Sequence, residues 1–322
     1  MKVEDRVYGP QTIEEPVLVE LIEAPEMQRL KGIGQFGMPP HLLPLPSYSR
    51  FEHSLGVMLL LRHLDASLEE QTAGLLHDVS HTAFSHTVDW VYGTETEENH
   101  QDEALERIIL NSSLPPILER HGFEARRMAD QNLFPLLEQE APLLCADRVD
   151  YTLREMALYS DPENVPFIRD SLIVFDSRIV FNNHEAAGIF AKDYMDLQRG
   201  HWGNALYKTR WRLLANTLKL GIKEGTIVYD DFYTDDATVL EKLRKSKHPD
   251  VIRNFELLER DFEVVEDPNG PFETKKKFRY VDPGFVENGR VYSYSEINPE
   301  YGALLEMEAK QARQPKRVRI LE

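Results

Sequence analysis

The chain has 322 residues, with 37 lysines and arginines against 55 aspartates and glutamates, which gives a formal net charge of −18. This acidic balance excludes broad binding to nucleic acid or to anionic membranes, because such partners attract basic surfaces, but it leaves room for a local basic pocket. Cys145 is the single cysteine, so an internal disulfide is excluded. The sequence contains neither a signal peptide nor an apolar run of about 20 residues, and we therefore expect a soluble cytoplasmic protein.

The first half of the sequence predicts a series of helices. The segment up to about residue 16 is expected to be extended or to form a hairpin. Apolar residues recur at helical spacing over 17–33 but are interrupted by Pro25, which predicts two short helices rather than one. The proline-rich segment 34–49 is predicted to be a loop. Further helices are expected at 51–64, which should be deeply buried, and at 69–78, 100–110, 133–138 and 143–158.

The second half begins with two β-rich runs, LIVF and IVF. They are separated by Asp176, Ser177 and Arg178, which predicts a β-hairpin at about 171–182. Beyond it, the pattern predicts a long helical region over 185–223, a β-like segment over 262–281 and a terminal helix over 298–314. We therefore predict a mainly α fold, in which a helical core at 1–225 carries the small hairpin and a mixed α/β C-terminal lobe at 226–322 packs on that core.

Four residues form a candidate metal site. His77 and Asp78 are adjacent and offer a nitrogen and an oxygen ligand, a pair that suits a divalent cation with mixed coordination. Neither residue can close a site alone, but His53 and Asp147 lie on two other predicted helices and complete a four-ligand set with positions left for water or substrate. A single histidine or aspartate near a helix end is ordinarily a cap or an ion-pair partner, whereas the joint pattern indicates a metal. Iron, manganese, magnesium, nickel, cobalt and zinc all remain candidates.

Three motifs in order carry a resemblance to a known family. They are RFEHSLGV at 50–57, LHDVSHTAFSH at 76–86 and DRVDY at 147–151. Together they resemble the HD-domain metal-dependent phosphohydrolases, and most closely the dNTP triphosphohydrolases that join a SAM domain to the HD domain, although no SAM domain is expected here. The resemblance spans about 17–207. It implies a helical HD fold, a homo-oligomer, a nucleotide substrate and a divalent metal bound by His53, His77, Asp78 and Asp147.

The resemblance also implies an acid–base set. Asp89 and His100 correspond to an Asp–His pair near the scissile phosphate, while His81 and His86 face the phosphate chain. A histidine paired with an aspartate can be held in one tautomer and supported in its protonated form, as acid–base catalysis near neutral pH requires. Whether His86 or His100 protonates the leaving oxygen is left open by the sequence.

Substrate-binding residues are assigned by the same resemblance. Guanidinium groups suit phosphate oxygens through forked hydrogen bonds. Gln35 and Tyr151 match positions that handle the sugar, and Tyr207 matches one near the sugar and base. The remaining candidates are Arg50, Arg148, Glu155, Arg199 and Arg210. The chain departs from the family pattern at Phe36, Arg148, Glu155, Gly203 and Arg210, which leaves the base preference and the substrate class open.

The leading hypothesis is hydrolysis of a dNTP at the α-phosphate to give a deoxynucleoside and triphosphate. The alternative within the superfamily is a 5′-nucleotidase, a phosphodiesterase or a nucleotide-signal hydrolase, which would release orthophosphate or a monophosphate. A di-iron oxygenase is a hypothesis of another class and would need a second metal bound by residues such as His81, His86 and His100. A non-catalytic nucleotide sensor would bind nucleotide without turnover.

Overall fold

The fold is built mainly from helices, as the hydrophobic periodicity predicts. The computed structural model describes residues 1–43, 45–94, 96, 98–274, 278–314 and 316–321. The helices in these ranges are α1 (Pro16–Glu23), α2 (Pro25–Arg29), α3 (Arg50–His63), α4 (Leu68–Leu76), α5 (Thr87–Tyr92), α6 (His100–Leu110), α7 (Leu114–Arg120), α8 (Ala125–Met128), α9 (Ala146–Tyr159), α10 (Val165–Asp170), α11 (His184–Leu197), α12 (Ala205–Lys223), α13 (Asp236–Leu243), α14 (Pro249–Leu258), α15 (Tyr294–Ile297) and α16 (Pro299–Ala312). Within the described ranges, none of these helices is both long and apolar enough to cross a membrane.

Three small sheets complete the described fold. The predicted hairpin is confirmed, and its turn places Asp176 and Ser177 at positive φ values of 48° and 57°. A second hairpin, which the sequence analysis did not predict, extends this sheet through a parallel pairing of Phe181 with Phe285. The sheets are β1 (Lys2–Asp5) with β2 (Gly9–Thr12); β3 (Leu172–Phe175), β4 (Arg178–Phe181), β7 (Gly284–Glu287) and β8 (Arg290–Ser293) in that order; and β5 (Glu263–Glu266), β9 (Arg317–Leu321) and β6 (Phe272–Glu273) in that order.

Three local predictions were wrong. The helix predicted at 133–138 is only a 3-10 turn at Gln131–Leu133 followed by loop. The long helical region is interrupted by a π-helical turn, Gln198–Trp202, which separates α11 from α12. The β-like segment continues as strand only through β5 and β6. Past residue 277 the backbone makes hydrogen bonds to groups outside a neighbouring strand. The Arg279 N–H donates to the side chain of Gln198 and the Asp282 N–H donates to the Pro142 carbonyl. The Val281 carbonyl accepts from the Tyr301 hydroxyl.

The buried core forms two clusters. The first surrounds α3, whose residues from His53 to Leu61 are all buried and which packs against α4 and α9. The second joins Phe36 and Trp90 to Trp211 and, from the C-terminal part of the chain, to Phe232 and Phe255. Apolar contacts of this second cluster therefore span residue 225, and the division of the chain at that point stays a prediction.

Candidate metal centre and substrate pocket

Three helix ends bring the predicted metal ligands together. The Oγ of Ser49 accepts a hydrogen bond from the Glu52 N–H (3.2 Å) and starts α3, which places His53 in the first turn. Helix α4 ends at Leu76, so His77 and Asp78 follow it directly. Asp147 lies in the first turn of α9. The four side chains thus come from three short-range motifs whose helix ends meet.

The distances among the four residues are short. Asp147 Oδ1 lies 2.8 Å from His53 Nε2 and 3.6 Å from His77 Nε2. Asp78 approaches the same two nitrogens, with Oδ2 at 3.7 Å from His53 Nε2 and Oδ1 at 3.4 Å from His77 Nε2. The structure therefore brings together all four residues that the sequence analysis assigned to the metal.

The chemistry of this donor set fits a divalent cation. The other ring nitrogen of each histidine is engaged, since His53 Nδ1 lies 2.8 Å from Asp150 Oδ2 and His77 Nδ1 lies 2.7 Å from Gly74 O. These bonds direct the Nε2 lone pairs to the site, as in known metal-bound histidines. Among the described residues, His77 Nε2 is buried without a hydrogen-bond partner. Such an orphaned nitrogen beside two carboxylates is what a bound cation would satisfy.

The electrostatics of His77 also favour a bound cation. Burial alone lowers the pKa of its imidazole, but the negative charges of Asp78 and Asp147 outweigh burial and raise the pKa to about 9. The site therefore stabilises positive charge. A neighbouring group formed by Glu138, Cys145 and Asp147 shares one carboxylate with it. Burial raises the pKa of the Cys145 thiol to about 12, so this thiol is a poor metal ligand near neutral pH.

A buried ion network holds His53, and the sequence analysis missed it. Asp150 accepts from Arg154 Nε (2.8 Å) and from the Tyr8 hydroxyl (3.0 Å), in addition to its contact with His53. Arg154 is fully buried and also donates to Asp5 Oδ2 (2.8 Å), which ties strand β1 to the metal site. The available signal was the helical spacing of the three charged residues Asp147, Asp150 and Arg154, one turn apart on α9.

The structure pairs Asp89 with His86. His86 Nδ1 lies 3.1 Å from Asp89 Oδ2, and the His86 ring centroid lies 5.0 Å from that of His81. Burial raises the pKa of Asp89, but the hydrogen bond and the charge of His86 outweigh burial and lower it. His81 Nε2 lies 3.2 Å from Asp78 Oδ1. His81 and His86 therefore stand side by side next to the metal ligands.

His100 lies apart from this pair. The contact of His100 with the Asp89 carboxylate is made by the backbone N–H of His100, which donates to Asp89 Oδ1 at 3.3 Å, and not by the imidazole. The imidazole stacks on Tyr92 at a centroid distance of 5.4 Å, and its Nε2 lies 3.3 Å from the Tyr229 hydroxyl. The expected Asp89–His100 side-chain pair is therefore not formed in this structure.

A cavity of about 380 Å³ opens beside the metal ligands. Five of the predicted substrate-binding residues line it: Gln35, Arg50, Arg148, Tyr151 and Glu155. The aromatic and charged lining residues that the sequence analysis did not identify are Trp90, Glu98, Asp102, Glu138, Tyr194, Trp202, Trp211, Phe278, Arg279 and Tyr280. Most come from segments far from the three motifs, and no local pattern marks them in the sequence.

Glu155 is held by the π-helical turn. Its carboxylate lies 2.7 Å from His201 Nδ1 and 2.8 Å from Trp202 Nε1. Single π turns inside helices often occur at functional sites. The extra residue of this turn directs two neighbouring side chains to one carboxylate, so Glu155 faces the cavity with its oxygens already engaged.

Three predicted substrate-binding residues do not line the cavity. Arg199 is exposed and pairs with Glu308 at 2.5 Å. Arg210 is buried and donates to the backbone carbonyls of Leu42 and Leu258, both at 2.8 Å. The Tyr207 ring lies 5.6 Å from that of His201. These three side chains are absent from the described lining of the cavity.

A buried carboxylate positions two loops of the pocket. Asp236 Oδ2 accepts from the Gly34 N–H (3.0 Å), next to Gln35, and Oδ1 accepts from the Phe84 N–H (2.7 Å), next to Ser85. Burial raises the pKa of Asp236 to about 6. A residue near the start of α13 thus fixes the backbone beside two cavity-lining segments.

The chain is similar to a family profile and to several known proteins. The HD domain family profile matches residues 50–156. The uncharacterized protein YdhJ of Bacillus subtilis is 36% identical over 325 residues, covering 100% of this chain and 99% of YdhJ. The metal-dependent phosphohydrolase cns2 of Cordyceps militaris is 32% identical over 299 residues, covering 89% of this chain and 85% of cns2.

Other similarities are partial or concern only the fold. The human deoxynucleoside triphosphate triphosphohydrolase SAMHD1 is 32% identical over 142 residues, which cover 37% of this chain and 22% of SAMHD1. Two solved structures, a hypothetical protein from Aquifex aeolicus and a phosphohydrolase from Bacteroides thetaiotaomicron, each superpose with a TM-score of 0.69. They cover 99% and 92% of this chain at 20% and 19% identity, respectively, and 95% and 94% of their own chains. At such identity they show the fold alone.

Proposed function

This chain belongs to the HD-domain metal-dependent phosphohydrolases, and from that membership we propose that it hydrolyses a phosphoric ester of a nucleotide. It is a hydrolase of phosphoric esters that uses a divalent metal. The observation that carries the nucleotide proposal is the buried His77 Nε2, which has no hydrogen-bond partner in the described ranges, beside a cavity with aromatic walls. Aromatic rings are suited to stacking on a base, while the metal site is suited to a phosphate.

Neighbouring side chains hold the proposed metal ligands in place. We expect the ion to be held by His53, His77, Asp78 and Asp147, the residues described above. When bound, a divalent cation polarises a phosphoryl oxygen and lowers the pKa of a water molecule. Asp150 orients His53, and Arg50 donates from Nη1 to Asp78 Oδ2 at 2.7 Å. Arg50 is therefore proposed to position Asp78 in addition to offsetting charge on the phosphate.

We assign proton donation to His86. Its Nδ1 is bound to Asp89, so its Nε2 can carry a proton to a leaving oxygen in the cavity that His86 lines. The Asp89 carboxylate fixes the orientation of the imidazole ring. His81, whose Nε2 lies 3.2 Å from Asp78 Oδ1, is proposed to contact the phosphate next to the metal site.

The nucleoside is proposed to occupy the end of the cavity near Gln35 and Tyr151. Among the described residues, Gln35 Oε1 is buried and accepts no hydrogen bond, so it can receive one from a sugar hydroxyl or a base amino group. The Tyr151 ring meets the Trp202 ring edge-on at 5.4 Å. These two rings would form the wall against which the nucleoside packs.

Two substrate classes are supported by different observations. The partial similarity to SAMHD1 supports a dNTP. The charge of the pocket supports a nucleoside monophosphate, because Arg199 and Arg210 lie outside it. Apart from the proposed ligands Asp78 and Asp147, whose charge the metal offsets, the described lining has three arginines against four carboxylates, Glu98, Asp102, Glu138 and Glu155. Since a triphosphate carries more negative charge than a monophosphate, this balance favours the monophosphate.

The products decide between the two classes. Protein purified without chelators is incubated with dNTPs, NTPs and 3′- and 5′-nucleoside monophosphates in the presence of Mn²⁺, Mg²⁺ or Fe²⁺, and the products are resolved by chromatography. Orthophosphate released from a monophosphate would support the favoured class, and inorganic triphosphate would support the dNTP. A panel without any product would contradict nucleotide hydrolysis. The homo-oligomer and the cytoplasmic location stay predictions, and light scattering tests the first.

Replacing His86 should cost more activity than replacing His100. In the His86→Ala variant the Asp89 carboxylate loses its imidazole partner and the leaving oxygen loses its proton donor, so we expect kcat to fall about 100-fold or more. His100→Ala removes a ring that stacks on Tyr92 outside the cavity and should change kcat less than about 3-fold. Metal content is measured in both variants. The reverse order of effects would reassign the proton donor to His100.

A further inference from the structure

The described wall of the cavity contains three arginines, and two of them are held by several hydrogen bonds within the protein. Arg50 is 4% exposed and donates from all three guanidinium nitrogens, to Ser85 Oγ at 3.0 Å, to Asp78 Oδ2 at 2.7 Å and to Gln35 O at 3.3 Å. Its side chain is therefore built into the protein.

Arg148 also donates to several groups of the protein, whereas Arg279 donates to one side chain of the described residues. Arg148 donates from Nη1 to Leu143 O at 2.5 Å and from Nη2 to Gln139 O at 3.2 Å. The Arg279 guanidinium has one hydrogen-bond partner within the described part of the chain, the carboxylate of Glu98, which it reaches through Nη2. A guanidinium has five N–H donors, so Nε and Nη1 of Arg279 retain donors for an anion.

The Arg279 side chain lies between two functional parts of the pocket. Its Cζ lies 5.9 Å from the centroid of the Tyr151 ring, in the wall proposed for the nucleoside. Its partner Glu98 is linked to Asp89 through Thr94, because the Glu98 N–H donates to Thr94 O (2.9 Å) and Thr94 Oγ1 donates to Asp89 Oδ1 (3.2 Å). A phosphate between the nucleoside and His86 would therefore meet this guanidinium.

We propose that Arg279 binds phosphate oxygens of the substrate through the N–H groups that Glu98 leaves available. The Glu98 side chain is 1% exposed and pairs with the guanidinium, while the Arg279 side chain is 21% exposed and lines the cavity. A guanidinium edge matches two phosphate oxygens with parallel, charge-assisted hydrogen bonds. The inference rests on the proposed function, since it requires a phosphate-bearing substrate in this cavity. It identifies a binding residue in the C-terminal part of the chain, where the sequence motifs place none.

The test measures phosphate affinity without turnover. Orthophosphate is titrated calorimetrically into the Mn²⁺-loaded protein and into Arg279→Ala, Arg279→Lys and Glu98→Gln variants. We expect Arg279→Ala to lose about 10- to 100-fold in affinity, the range for charge-assisted hydrogen bonds, and Arg279→Lys to recover part of it. Glu98→Gln keeps a hydrogen-bond acceptor and removes a negative charge, so it should bind orthophosphate at least as tightly as the wild type.

The Glu98 variant separates binding from a structural role. If the role of Arg279 were only to link its own segment to Glu98, then Glu98→Gln would weaken phosphate binding as well. This result would overturn the proposal. Wild-type affinity in Arg279→Ala, or no orthophosphate binding by the wild type, would also overturn it. Arg290→Ala is the matched control, because Arg290 is an exposed arginine of β8 that lies over the Tyr292 ring at 4.8 Å. Melting temperature and metal content are compared in all variants.

Failure of this inference and failure of the proposed function give different results. If no nucleotide gives a product but Arg279→Ala strongly lowers the affinity for orthophosphate, then nucleotide hydrolysis is contradicted and the phosphate-binding role of Arg279 is supported. Nucleotide hydrolysis with an unchanged KM and unchanged orthophosphate affinity in Arg279→Ala would keep the proposed function and remove the role of Arg279.

Discussion

Replacing Asp147 with alanine is expected to remove the bound divalent metal and the hydrolytic activity together. Asp147 Oδ1 faces the Nε2 atoms of both His53 and His77, and the described residues offer it no lysine or arginine as an ion-pair partner. Loss of a residue that only supports a ligand costs about 10- to 100-fold in metal affinity, and loss of a ligand itself should cost more. Metal content is measured by elemental analysis after dialysis, and hydrolysis is measured with a chromogenic phosphate ester.

Asp147 is a better choice for this experiment than Asp78. Removing the Asp78 carboxylate would also leave the buried Arg50 guanidinium without its ion-pair partner, and such a loss destabilises the fold by about 3 to 5 kcal/mol. The matched control is Asp196→Ala, because the half-exposed Asp196 only approaches Lys192 at 3.5 Å on the surface of α11. Wild-type metal content in Asp147→Ala, with the control unchanged, would contradict the ligand assignment.

Replacing Gly56 with alanine is expected to destabilise the protein and weaken its metal site. A Cβ at this position would lie 1.7 Å from Arg154 Nη2 and 2.2 Å from Asp150 Oδ1, so the buried ion network has to move. Asp150 holds the His53 ring, and its displacement should lower metal affinity about 10- to 100-fold. Overpacking and the disturbed ion pair should together lower the free energy of unfolding by about 3 kcal/mol or more. Urea unfolding and metal titration measure the two effects.

Gly200→Ala is the control for this substitution. A Cβ at Gly200 meets no other atom within 4 Å, so this variant should unfold at nearly the same urea concentration as the wild type. If Gly56→Ala retained both wild-type stability and wild-type metal affinity, the close packing of α3 on α9 would not be what positions His53. Loss of stability with full metal affinity would limit the role of Gly56 to packing.

Local sequence was sufficient to predict most of the helices and the four residues that meet at the candidate metal site. His53, His77, Asp78 and Asp147 lie within a turn of a helix end, and their chemistry is recognisable from residue type and from the order of the motifs. The hairpin at Leu172–Phe181 was also predictable, because its turn residues and β-rich strands are adjacent in the chain. Such features depend on contacts over a few residues, which a sequence pattern records directly.

The pairing of the acid–base residues could not be decided from sequence. His86 and His100 are both near Asp89 along the chain. The resemblance paired Asp89 with His100 and left open which of the two histidines protonates the leaving oxygen. The left-handed conformations of Phe84 (φ 63°) and Ser85 (φ 45°) turn the chain just before His86, and Asp236 fixes this turn from 152 residues away. That long-range hydrogen bond has no signature in the sequence around His86.

The walls of the pocket were determined by tertiary structure. Arg199 was expected to contact phosphate, but the π-helical turn that begins at Gln198 and the carboxylate of Glu308 on α16 leave it on the surface. Arg279 instead lines the cavity from a segment without regular secondary structure. Sequence by itself determined which residues form the candidate metal site, because they lie in short motifs at helix ends. Only the tertiary structure decided which cations and aromatic rings line the cavity, because that depends on which distant segments pack against those helix ends.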